Sequence, residues 1–212
     1  MKGKVKYSSF RDWFRDTWSY RYIFSAISHP KTFLFLKRYP FWKSYNVWTR
    51  RFTGWAYSLY DWIPDGWQKA FGEKLTEDIV EALKADHIPK RKWTEALQFQ
   101  DIKEKYGTLR LYATTTEKVQ QVLNKYECLS QGYCINCGKP ARYATLCWIE
   151  YLCEDCFAKG YGAMNYKPDG RRLTKEDIPT YYHYDCETKE ETKSTPLTKW
   201  GIDLEKIWGL KE

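Results

Sequence analysis

This 212-residue chain has no long apolar run, few histidines, and few acidic residues near its N-terminus. Its most apolar region, YRYIFSAISHPKTFLFLKRYPFW, is broken by Arg21, His29, Pro30, Lys31, Lys37 and Arg38. Nothing approaches the roughly 20 apolar residues that a membrane-spanning helix needs. The opening MKGKVKYSSFRDWFRD lacks the apolar stretch of a signal peptide, so a cytoplasmic location is expected. With three histidines and no HExxH, a zinc hydrolase is unsupported. There is no Walker A loop and no GxGxxG, and no small-molecule substrate is evident. Pro64-Asp65 and Asp101-Ile102-Lys103 match the letters of a metal-dependent nuclease motif. Asp65 is better placed as a helix N-cap and Asp101 on a solvated strand, so no enzyme is expected.

The scarcity of acid at one end leaves an asymmetric charge. Residues 1–60 carry 12 Lys and Arg against Asp12 and Asp16, a net +10, while the rest, with 23 basic and 25 acidic residues, carries −2. The same 60 residues hold 19 of the 39 aromatics. Cations interleaved with rings suit phosphate contacts and base stacking, and Arg11, Arg15, Arg21, Lys37, Arg38, Arg50 and Arg51 are the candidate contacts. The composition also suits an interfacial membrane helix or a protein partner. Helical spacing of Trp13, Phe14 and Trp18 predicts a helix over about 8–25 with these rings in a core. Trp67, Phe71, Leu75, Ile79 and Leu83, four apart, predict the clearest amphipathic helix. LQFQDIKEKYGTLRLYAT predicts two strands around a tight turn at 105–107, and residues 115–126 a further helix. CETKEETKSTPLTKW reads as a polar connector, and IDLEKIWGL as a segment able to dock on the body or a partner.

Seven cysteines, an odd number, include two CxxC pairs, which favours thiolates on a metal over a secreted disulfide framework. Cys134-x2-Cys137 and Cys153-x2-Cys156 are 15 residues apart, the spacing of a four-cysteine zinc site. Gly138 permits the tight backbone of such a knuckle. Four thiolates leave no position for water, so the zinc would be structural. Cys147 falls in TLCWIEYL, which predicts a strand leading into the second knuckle, with Cys147 a small apolar residue on it. His183 and Cys186 lack a second pair and make a weak metal site.

In RYPFWKSYNVWT, DWIPDGWQKAFGEKL, DIKEKYGTLRLY, NKYECLSQGYCINCGKP and the CEDC knuckle, in that order, residues 38–157 resemble an uncharacterised family of phage and prophage proteins. The resemblance implies an α+β core closed by a zinc ribbon, with the metal on Cys134, Cys137, Cys153 and Cys156. It implies no catalytic residue. The expected fold is therefore α+β: helices with a small antiparallel sheet, closed by a four-cysteine zinc ribbon. The expected organisation is a basic aromatic region over 1–60, an α+β core over 61–130, the ribbon over 131–160 and a turn-rich tail with a short helix over 161–212. The expected function is non-enzymatic binding of nucleic acid or a host nucleoprotein complex, in host takeover or counter-defence. A metal-dependent nuclease and a structural virion component are the alternatives.

Overall fold

Pro30 fixes the first clear helix boundary, because its ring suits a helix's first turn and removes a donor that would be unpaired there. The computed structural model describes residues 9–15, 17–46, 48, 51–146, 148–160, 169–178, 181–184, 191–194 and 200–210. Three short helices open it: α1 (Phe10–Arg15), α2 (Ser25–Ser28) continuing a π-helical turn at Tyr20–Phe24, and α3 (Pro30–Arg38). The single helix expected over 8–25 is thus divided. The Thr17 hydroxyl donates to the Phe14 carbonyl (2.6 Å) and accepts from the Tyr20 N–H (3.3 Å), a local alternative to the helical ladder.

The four-residue apolar series builds one continuous helix through α4 (Asp65–Trp67), a π-helical turn (Gln68–Gly72) and α5 (Glu73–Ala85). Trp67, Phe71, Leu75, Ile79 and Leu83 are all buried. Asp65 does not cap this helix, contrary to expectation. Pro64 holds the N-cap position, no side-chain cap bond forms, and Asp65 is the first helical residue, where a negative charge still suits the helix dipole. After α6 (Trp93–Ala96), β1 (Gln98–Lys105) and β2 (Thr108–Thr114) pair antiparallel across Tyr106 and Gly107, both at positive φ. Two positive φ values match the right-handed twist of the flanking strands. α7 (Glu117–Leu129), capped by the Thr116 side chain, then covers the outer edge of β2. Ser130 Oγ accepts from the Leu109 N–H (2.9 Å) and a Glu127 carboxylate oxygen from the Leu111 N–H (2.6 Å).

The apolar core runs without a break across residue 60. Leu36, Phe41, Trp42, Phe52 and Trp55 share it with the α4–α5 series and with Ile102, Leu109, Leu111, Val119, Leu123 and Tyr126. Trp42 is fully buried, stacks on Phe99 at 4.8 Å, and donates its Nε1–H to Thr76 Oγ1 (3.2 Å), so its one polar atom is satisfied. Asp78 ties α5 to α7, accepting from Lys125 Nζ (2.8 Å) and Tyr126 Oη (2.9 Å). Burial raises its carboxyl, but Lys125, Lys74 and Tyr126 together bring it below the ordinary carboxylate value.

The C-terminal third forms a three-stranded antiparallel sheet in the order β4-β3-β5, with β3 (Tyr143–Thr145), β4 (Tyr151–Leu152) and β5 (Gly170–Arg172). α8 (Glu154–Lys159) follows β4. TLCWIEYL is not one strand: β3 ends at Thr145 and β4 begins at Tyr151, with Leu146, Trp148 and Ile149 near the tip between them. Thr145 closes that tip, its hydroxyl donating to the Trp148 carbonyl and accepting from the Glu150 N–H (2.8 Å). Cys147 lies outside the described residues, as do Cys186 and the His183 side chain. The polar connector is also corrected. Its residues Glu191–Ser194 form β7 against β6 (Tyr181–Tyr184), a backbone pairing that needs no apolar alternation. The last segment does dock on the body. α9 (Leu204–Ile207) is followed by buried Trp208, whose Nε1–H donates to the Gln131 carbonyl (3.1 Å), while Arg142 donates to the Ile207 carbonyl (2.9 Å). The protein is thus α+β, with small antiparallel sheets and a cluster of four cysteines. Among the described residues no helix is long and apolar enough to cross a membrane.

Candidate metal centre

Two tight turns bring the cysteines together. In the first, the Gly138 N–H donates to the Cys134 carbonyl (2.9 Å) and the Cys134 N–H to the Lys139 carbonyl (2.8 Å), with Gly138 at φ +80°. Glycine adopts that conformation without the Cβ clash other residues meet. In the second, Cys153 precedes α8 and Cys156 lies in its first turn, with the Phe157 N–H on the Cys153 carbonyl (2.9 Å). The ligand atoms of Cys134, Cys137, Cys153 and Cys156 all lie within 4.8 Å of one another. A tetrahedral ion with metal–sulfur bonds of about 2.3 Å requires sulfurs about 3.8 Å apart, so the cluster is of the right size. Cys134 and Cys153 are buried, Cys137 and Cys156 half-buried. The four are positioned to hold a metal ion.

The first knuckle is seated on the α4 end of the long helix by contacts that sequence reasoning missed. Gly66 donates its N–H to the Ile135 carbonyl (2.9 Å), and a Cβ at Gly66 would lie 2.2 Å from the Cys134 carbonyl oxygen. A Cβ at Gly138 would meet the Gly66 carbonyl oxygen at 2.5 Å. Trp67, fully buried beside them, donates its Nε1–H to the Tyr133 carbonyl (3.2 Å). The two backbones touch with no room for a side chain on either. Pro64-Asp65-Gly66 signals a turn in the sequence; nothing local signals that its glycine faces residues 134 and 135.

The sulfurs differ in their electrostatic settings. Burial pushes the Cys153 and Cys156 thiols up, and neighbouring sulfurs raise Cys156 further. Burial also raises Cys137, but the Lys139 N–H and the neighbouring sulfurs bring it below the usual thiol value. Four adjacent thiolates need a positive charge among them before all can lose their protons. The flanking Glu150 is a different case. It is 7% exposed, and its Oε2 is buried without a hydrogen-bond partner. Burial, with the Glu104 carboxylate second, pushes its carboxyl up to about 7. A raised acid favours the protonated folded state, so its contribution to stability falls as pH rises from about 4.5 through 7. Glu150→Gln is therefore expected to raise stability at pH 8 by on the order of 1 kcal/mol, and little at pH 5. Thermal unfolding at both values measures this, and an equal gain at both would contradict it.

The other predicted site residues are scattered along the chain. Arg11, Lys37, Arg38 and Arg51 are exposed, Arg21 is half-buried, and Arg50 and the Arg15 side chain lie outside the described residues. Lys37 lies over the Phe33 ring (5.7 Å) and Arg38 over Tyr39 (5.2 Å). The aromatic spacing that predicted a core is corrected here. Trp13 is 48% exposed and Trp18 62%, with Phe14 half-buried between rings of its own segment. Among the described residues the rings of Phe10, Trp13, Phe14 and Trp18 meet other rings of the same segment. On the nuclease letters, Asp101 pairs with Lys103 on β1 while Asp65 opens α4. Among the described residues, the four cysteines are the only group of three or more His, Cys, Asp or Glu side chains close enough to share an ion. The chain matches no protein-family model, no curated protein and no solved structure.

Proposed function

We propose that this is a non-enzymatic zinc-ribbon protein of the phage type, whose four cysteines hold one structural zinc and whose N-terminal surface binds a polyanionic macromolecular partner. The observation that carries the metal assignment is the approach of four thiol groups within 4.8 Å on two CxxC turns. An all-sulfur set suits zinc, and with four protein ligands no coordination position is open to a water or substrate. The zinc therefore acts by holding the knuckles together, and function lies elsewhere on the chain. The motif order shared with phage proteins supports an origin in an infected or prophage-bearing cell.

Binding is assigned to the N-terminal region because the +10 charge of residues 1–60 coincides with exposed rings at Phe10, Trp13 and Trp18. Nucleic acid, a host nucleoprotein complex and a membrane surface are the polyanions with that chemistry. Salt titration of binding tests the assignment. If three phosphate-like contacts are made, affinity for a duplex should fall about 40-fold between 50 and 200 mM salt. A complex insensitive to salt would contradict the electrostatic assignment. Mg²⁺-dependent cleavage lost in Asp101→Ala would contradict the non-enzymatic one.

A further inference from the structure

Resting on the assignment of binding to the N-terminal surface, we propose that its partner is an anionic lipid interface on which the first three helices lie flat. α2 is attached to the body by the face carrying Ser25. That side chain is buried, its hydroxyl accepting from the Trp55 N–H (3.0 Å) and donating to the Arg21 carbonyl (2.8 Å). Residues two positions to either side of Ser25 lie about 160–200° away around a helix. Those residues are Ile23 and Ile27, and both are exposed, Ile27 to 73%. The face that an ordinary surface helix gives to water is here apolar.

The apolar surface extends beyond α2. Phe24, exposed, packs its ring on Phe14 (5.6 Å), and exposed Phe10 joins Trp13 (5.4 Å), which links α1 to the same patch. On α3, Leu36 is buried while Lys31, Leu34 and Arg38 recur at three- and four-residue spacing on the opposite side, all exposed. One leucine lies between two cations whose long stems can follow it downward while their charges stay in water. Rings and aliphatic chains bordered by Lys and Arg are the composition of a helix that lies in a lipid interface.

Charge and side-chain type decide between partners. The only acids in residues 1–60 are Asp12 and Asp16, so nothing on α2 or α3 opposes an anionic headgroup layer. Basic residues near such a layer each gain about fivefold in affinity. A nucleic acid would use the cations and the flat rings, but Ile23, Ile27 and Leu34 have no π face on which a base can stack. A lipid interface takes up such aliphatic side chains.

The test uses the full-length, zinc-loaded protein with vesicles of phosphatidylcholine alone or with about 30% phosphatidylglycerol, read by flotation, alongside duplex and single-stranded DNA and RNA. Binding to the anionic vesicles, with a blue shift of tryptophan emission, is the expected result. Ile23→Ser with Ile27→Ser should weaken it at least about tenfold, and Lys31→Gln or Arg38→Gln about fivefold each. These side chains are exposed, and unchanged zinc content and circular dichroism verify that the variants fold. Nucleic-acid binding without vesicle binding would overturn the lipid assignment and leave the binding surface standing. Binding to neither would overturn both. Self-association abolished by Ile23→Ser with Ile27→Ser, without vesicle binding, would reassign the patch to a second copy of the chain.

Discussion

Replacing Cys134 by serine is expected to abolish metal binding and unfold the ribbon while leaving the helical body largely intact. Cys134 is fully buried, and a serine hydroxyl is a poor ligand beside three thiolates. Among the described residues the buried apolar cluster around the sulfurs is Cys134, Leu152 and Cys153, with Ile135 and Phe157 packed on it, a small core to hold the knuckles without an ion. Structural zinc contributes about 10–16 kcal/mol in small metal domains, comparable to the whole stability of an ordinary domain. The second small cluster, Ala141 with Leu173, Ile202, Leu204 and Trp208, should be lost with the ribbon, because Trp208 and Ile207 are held by Gln131 and Arg142. Hydrogen exchange should lose protection over residues 134–157 and 202–208 but retain it in α5 and α7. The main core there is large and does not include the sulfurs. Unchanged protection at 134–157 would show that the ribbon stands without its fourth ligand.

Gly66→Ala is the second large effect. A methyl group there would sit 2.2 and 2.3 Å from the carbonyl oxygens of Cys134 and Ile135, and both obstacles are backbone. Flexible side chains can swing aside; backbone held by the Gly66–Ile135 hydrogen bond cannot. The helix start and the ribbon must therefore part, which also exposes Trp67 and breaks its bond to Tyr133. The expected loss is about 2–4 kcal/mol in urea unfolding, an overpacking cost plus a broken buried hydrogen bond. Gly201→Ala is the contrast, since no atom lies within 4 Å of the added Cβ and only its φ of +66° opposes alanine. It should cost about 1 kcal/mol. Equal effects at the two positions would remove the close approach as the cause.

What the sequence reveals here is which residues share a face. The α4–α5 series, the β1–β2 hairpin with its turn at Tyr106-Gly107, the α7 face and the paired CxxC turns were all legible, because each depends on neighbours a few positions away. What covers a face depends on distant residues. Phe14 and Trp18 have the same four-residue spacing as Trp67 and Phe71, yet Trp18 is exposed and Phe14 only half-buried, while the later pair is buried. Gly66 looks like a turn glycine, and its partners lie almost 70 residues later. In TLCWIEYL alternation suggested a strand, but the Thr145 hydroxyl turns the chain back through a tip where Leu146, Trp148 and Ile149 are exposed. Residues 191–194 show the converse, a strand pairing with no apolar pattern to announce it.

X-ray absorption at the zinc edge on the purified protein would report whether the four thiolates hold a structural zinc. One zinc per chain with four sulfur ligands at about 2.3 Å is the predicted result. Nitrogen or oxygen in the first coordination shell, or a folded protein that retains ribbon protection with no zinc bound, would contradict it.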